Sequence, residues 1–167
     1  MSEIAGDRWA DREKLGLTKE FVQAQLLEQL HVFQKKNVDF IIAEYFEFID
    51  EMEWAIEVLK KNTSMPVVAS MCIGKWGDEG GRTPAECAVR MVKAGAEVVG
   101  VNCHFGPMEA LSLMRGGLDV AGFKNIYIIV QPLVYHTPGA DQNGFIDLPE
   151  FYFALEPRTA PRGEIAW

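Results

Sequence analysis

Between Thr18 and Gln131 the chain switches repeatedly from helical to strand-like patterning, and this alternation is what most limits the folds open to it. Val22, Leu26, Leu30 and Phe33 recur at spacings of three and four, which lays one apolar stripe along a helix predicted over 19–36. Thr18 stands where a side-chain oxygen caps the first turn, and Leu17 and Val22 stand where an apolar staple closes it. Residues 38–43 then form a run with little polar alternation, the pattern of a strand covered on both faces in a parallel sheet. The cycle repeats with a helix over 48–61 and a strand over 67–73. Thr83, Pro84, Ala85 and Glu86 form a capping box with proline at the first helical position, and that helix stops near Gly95. A strand over 97–102, a helix over 108–121 weakened by Gly116 and Gly117, and a strand over 126–130 complete the series. Pro132, Pro138, Pro149 and Pro157 mark 132–167 as mostly loop.

Strands joined by helical crossovers pair in parallel with right-handed connections, so the fold class is α/β. A doubly wound sheet and a barrel both satisfy the pattern, and in either one function gathers at the carboxyl ends of the strands. The length of 167 residues suits one domain over 1–167 but falls short of the about 250 of a complete (βα)8 barrel, so a barrel of this length would be a partial one. Its outer strands lack partners, a state that invites pairing with a second copy and makes a homo-oligomer possible.

Hydrophobic residues at 49% and charged residues at 24% describe an ordinary globular chain. A net charge of -8 repels a phosphate backbone, which argues against nucleic acid as a partner. No apolar run approaches the roughly 18 residues that span a bilayer, and the first residues lack the apolar centre of a secretory signal. A cytoplasmic location follows as the expectation, and there three cysteines do not suggest a disulfide framework.

The strand ends carry Glu44 and Tyr45, Cys72, Asn102 with Cys103 and His104, and Gln131. Cys103 is the central candidate, because a thiol at the end of a parallel strand serves as metal ligand or nucleophile. A lone cysteine is more often inert core, and Cys72 and Cys87 are read that way. His104 neighbours Cys103 in sequence and therefore points to the opposite face of an extended chain. His136 lies in the loop after the next strand, so a Cys–His hydrolase is an alternative reading of the same residues. Glu44 suits a substrate ammonium, or equally a salt bridge at the rim. Tyr45, Phe46 and Phe48 offer aromatic surface to a quaternary cation, or simply pack. Residues 74–82 are glycine-rich without the order of a phosphate-binding fingerprint, and read as a mobile rim loop.

Several stretches together resemble the homocysteine S-methyltransferases, most closely their betaine-using branch: VFQKKNVDFIIAEYFE at 32–47, ECAVRMVKAGA at 86–96, GVNCHF at 100–105 and QPLVYHTP at 131–138. GFIDLPEF at 144–151 and LEPR at 155–158 continue the likeness, while 1–17 match poorly. The resemblance implies strands four to seven of a (βα)8 barrel that binds zinc through three cysteines. Cys103 matches the first ligand; the other two belong to a Gly-Gly-Cys-Cys-Gly run that this sequence does not contain. Glu44 matches an acidic contact to the homocysteine amino group, Tyr45 an aromatic wall of the methyl-donor pocket, and Asn102 and Gln131 polar positions at the rim. The implied reaction is attack of a zinc-bound homocysteine thiolate on a methyl group of betaine, giving methionine and dimethylglycine. The alternatives are another donor such as S-methylmethionine, or a non-catalytic truncated fragment.

Overall fold

The computed structural model describes residues 11–74, 77–103 and 107–132. Helices α1 (Lys19–Gln34), α2 (Ile49–Asn62), α3 (Pro84–Ala94) and α4 (Pro107–Val120) alternate with strands β1 (Ile41–Phe46), β2 (Val67–Met71), β3 (Val98–Cys103) and β4 (Tyr127–Pro132). The four strands form one parallel sheet in the order β1-β2-β3-β4, the order and direction that the alternation implies.

Local chemistry sets most element ends. Thr18 accepts the Phe21 amide at 3.3 Å, and Leu17 packs on Val22 as the staple requires. Thr83 and Glu86 close the capping box in both directions, and Gly95 ends α3 at φ 112, a left-handed turn that glycine adopts without a side-chain clash. Phe48 offers no cap to α2; the buried Asp78 carboxylate takes the Ile49 amide at 3.0 Å instead. Asp78 also accepts the Arg82 amide at 2.7 Å, so this part of the glycine-rich loop is pinned to α2 rather than loose.

Two sequence expectations shift. The first strand begins at Ile41, three residues later than 38–43 suggests, and runs on through Tyr45 to Phe46. Pairing decides this: the Ile41 amide donates to the Pro66 carbonyl at 3.0 Å, and β2 offers β1 its first register partner at Val67. Phe33, expected inward on α1, is 42% exposed, because α1 packs chiefly on α2.

Alternation sorts each strand's residues between two faces. Ile41, Ala43, Val67, Ala69, Met71, Val99 and Val101 join Met52, Ile56, Met91 and Met114 of the helices in one core. The opposite face carries Ile42, Glu44, Ser70, Gly100, Asn102 and Gln131, which the register brings into rows across the sheet. Position 100 has no room for a side chain, since a Cβ there would fall 1.9 Å from the Ile129 carbonyl oxygen. Helices α2, α3 and α4 pack in sequence order against one face, with Leu30 of α1 joining the same core, and this is barrel geometry; a doubly wound sheet divides its helices between two faces.

Candidate active site

The carboxyl end of the sheet begins with an irregularity in β1. Glu44 pairs with Ser70, and Phe46 pairs with the very next residue, Met71, so Tyr45 is an extra residue opposite none. The burial of Phe46 explains the bulge. In strict alternation Phe46 would share the face of Glu44; inserting Tyr45 returns it to the helix side, where it is 1% exposed in the core. Tyr45 takes φ 68 and stands 37% exposed at the rim. Cys103, at the end of β3, takes φ 69. Side chains other than glycine rarely hold that conformation, and such strain concentrates at functional sites.

A hydrogen-bonded chain crosses the sheet just inside this rim. The Ser70 hydroxyl donates to Gln131 Oε1 at 2.7 Å, and Gln131 Nε2 donates to Glu44 Oε1 at 3.2 Å. Asn102 Nδ2 donates to both the Ser70 carbonyl and the Ser70 hydroxyl, each at 3.3 Å. Asn102 is buried, and its Oδ1 is the buried side-chain polar atom left without a partner among the described residues. The sequence pattern does not single out Ser70. The available signal is a hydroxyl inside the run VVASM, two residues before Cys72 and so on the same face of the strand.

A second group joins Tyr45 to two thiols. Cys72 lies beside both the Tyr45 hydroxyl and the Cys103 thiol. The neighbouring Cys72 thiol holds the Cys103 thiol below its ordinary range, against the opposing pull of partial burial and the Glu44 charge. Cys72 moves the other way, because the neighbouring Cys103 and burial both disfavour its thiolate. Burial pushes Tyr45 up, with the neighbouring cysteines adding to it. Cys72 is buried as a core cysteine would be, yet it touches the candidate site, which a reading as inert core does not foresee. Cys87 is core, pushed up to about 12 chiefly by burial.

Glu44, Asn102 and Gln131 thus share one network, and Tyr45 and Cys103 share another beside it. His104 and His136 lie outside the described residues. Among the described residues no three of His, Cys, Asp and Glu are grouped so as to hold a metal ion. The donor chemistry at Cys103 suits zinc, whose structural and catalytic sites take at least three protein ligands, but the described residues do not complete such a set.

The model of the homocysteine S-methyltransferase family matches residues 4–148, reaching further toward the N-terminus than the resembling stretches do. Betaine–homocysteine S-methyltransferase 1 of Sus scrofa is 58% identical over 138 residues, which cover 81% of this chain and 49% of that protein. The Bos taurus protein of the same name is 57% identical over 141 residues, 83% of this chain and 34% of its own length. The Danio rerio protein is 54% identical over 151 residues, 89% and 37%. The chain therefore spans between a third and a half of these relatives. The apo crystal structure of the Escherichia coli homocysteine methyltransferase MmuM aligns with TM-score 0.57 at 14% identity, over 70% of this chain and 44% of that one. At that identity the likeness speaks for the fold.

Proposed function

The chain belongs to the homocysteine S-methyltransferase family, and from that premise we propose that it carries part of a site that moves a methyl group from betaine to homocysteine. The observation that carries this reading is the convergence of Glu44, Tyr45, Asn102, Cys103 and Gln131 on the carboxyl end of one sheet. We read 1–167 as one incomplete barrel domain, working in the cytoplasm, with the small molecules homocysteine and betaine as partners, no role for nucleic acid, and its sheet edges free to join a second copy. Among the described residues no helix is long and apolar enough to cross a membrane.

In this reading Cys103 is one zinc ligand, and the others come from outside the described residues. Zinc, when bound, makes a coordinated thiol a thiolate at neutral pH. The Glu44 carboxylate receives the homocysteine ammonium through a charge-assisted hydrogen bond, which fixes the direction from which sulfur approaches. Tyr45 offers its ring face to the quaternary nitrogen of betaine. Sulfur then attacks the methyl carbon in line. A carbon–sulfur bond forms as the carbon–nitrogen bond breaks, and the electron pair stays on nitrogen, giving methionine and neutral-amine dimethylglycine. No general base is needed once the thiolate exists.

The test has two arms. Purified alone, the chain is expected to bind zinc substoichiometrically by elemental analysis and to form no methionine; tight stoichiometric zinc with turnover would overturn that ligand count. In the second arm residues 18–132 replace the matching stretch of the Sus scrofa relative. That chimera should hold zinc and use betaine in preference to S-methylmethionine, and Cys103→Ala in it should abolish both. A folded chimera that keeps its zinc without Cys103 overturns the assignment.

A further inference from the structure

Ser70 lies fully buried at the crossing of the hydrogen-bonded chain, and the reaction as described gives it no part. Two groups in that chain can only accept hydrogen bonds: the ionised Glu44 carboxylate and the Ser70 carbonyl. The carboxylate requires the amide nitrogen of Gln131 to face it, which turns Gln131 Oε1 toward Ser70. The carbonyl requires the amide nitrogen of Asn102 to face it, which turns Asn102 Oδ1 away. The Ser70 hydroxyl must then give its proton to Gln131 and accept from Asn102, with no second arrangement that keeps every bond. Both amide orientations are thus set by the network.

We propose that Ser70 is a positioning residue for recognition of a primary ammonium. Its hydroxyl holds Gln131, and through Gln131 the Glu44 carboxylate, while fixing Asn102 with Oδ1 as a free acceptor for a ligand N–H. The proposal rests on the reading of Glu44 as the homocysteine amino contact. Gln131 engages one oxygen of Glu44 and leaves the other to the ligand. Among the described residues Asn102 Oδ1 is buried without a partner, a state that costs free energy until a donor arrives. Only a side chain that both donates and accepts can stand at position 70, so threonine conserves the function and alanine does not.

The test is titration of the full chain, labelled with nitrogen-15, with L-homocysteine and with 4-mercaptobutanoate, which keeps thiol and carboxylate but lacks the ammonium. The side-chain amide signals of Asn102 and Gln131 report binding at the site itself. The wild type should prefer homocysteine by about tenfold or more. Ser70→Ala should bring the two ligands to within about twofold of each other, leave 4-mercaptobutanoate binding unchanged and shift both amide signals. Ser70→Thr should restore the preference. Gln131→Met, at a half-buried strand end, breaks the same chain and should reproduce Ser70→Ala without altering the buried serine. Full preference retained in either Ser70→Ala or Gln131→Met overturns the role of Ser70 and leaves the Glu44 reading standing. Equal weakening of both ligands also overturns it, because that is what general damage does. A wild type without preference overturns the Glu44 reading and the proposal with it.

Discussion

Gln131 donates to Glu44 at 3.2 Å although the two stand 87 positions apart, on β4 and β1, the outermost strands of the sheet. Neighbouring strands lie about 4.8 Å apart, so in a flat sheet β1 and β4 would be separated by about 14 Å. A direct bond between two side chains of this length closes only if the sheet curls with Glu44 and Gln131 on its concave side, as the strands of a barrel do. Ile42 and Tyr127, on that same side, stand 40% and 75% exposed.

Gln131→Glu is expected to set two carboxylates against each other at this point. One of them will hold its proton to a higher pH than in the unfolded chain, so the variant is destabilised above that raised value and recovers as pH falls. Urea unfolding should show a loss of about 1–3 kcal/mol at neutral pH, shrinking on acidification. A variant as stable as wild type at neutral pH would mean that the Glu44 contact does not form in solution.

Cys103 should be the first thiol to react in the metal-free chain. It is half-exposed and its thiolate is favoured by the neighbouring Cys72 thiol, whereas Cys72 and Cys87 are buried and both shifted upward. Iodoacetamide labelling followed by peptide mass mapping should find Cys103 modified before the other two. Cys72→Ala removes that neighbour, so the Cys103 value rises and the curve of rate against pH moves to higher pH. Faster labelling of Cys87 than of Cys103 would contradict this arrangement of thiols.

Adjacent glycines in α4 should respond with opposite signs. A Cβ on Gly117 would lie 2.6 Å from Ala85 of α3, a contact that forces the helices apart, so Gly117→Ala should cost about 1–3 kcal/mol. Gly116 has nothing within 4 Å, so Gly116→Ala should stabilise by about 0.5–1 kcal/mol through helix propensity. Thermal melts of the two variants decide the matter, at about 2–4 °C per kcal/mol.

Acid should remove stability that Glu86 and Glu97 provide. The Thr83 amide and hydroxyl hold Glu86 below its ordinary value. At Glu97 partial burial pushes upward, but Lys60 and the Val67 amide outweigh it and the net shift is downward. Both folded values are depressed, so the contribution is complete above the unfolded value near 4.5 and is lost as pH falls through the folded ones. The double variant Glu86→Gln, Glu97→Gln should therefore show a shallower fall in urea midpoint between about pH 6 and about pH 3 than wild type. Parallel curves would assign the acid sensitivity elsewhere.

Much of the frame is legible in the sequence because its signals are local. The capping box of Thr83 and Glu86 and the stop at Gly95 lie within one or two helical turns of the residues that signal them, and each is found where the residues place it. The start of β1 is not legible, because a strand begins where a neighbour offers partners, and Val38 reads as apolar whether or not it pairs. Glu44, Tyr45, Asn102, Cys103 and Gln131 can be named as strand-end residues, and the roles proposed for them come from the family resemblance. Ser70 cannot be separated from the apolar strand around it, since it is a short side chain in a run that reads as core, and Cys72, though named at a strand end, reads as core for the same reason.

The sequence by itself determined the α/β alternation, the parallel pairing and which residues stand at the strand ends, because periodicity and capping depend on neighbours along the chain. Tertiary structure alone decided the curl that joins Glu44 to Gln131, the bulge that sends Phe46 to the core and Tyr45 to the rim, and the pairing of Cys72 with Cys103. Those depend on register and curvature between segments tens of residues apart. A shift of one position there exchanges the two faces of a strand, and the local pattern of polar and apolar residues does not register it.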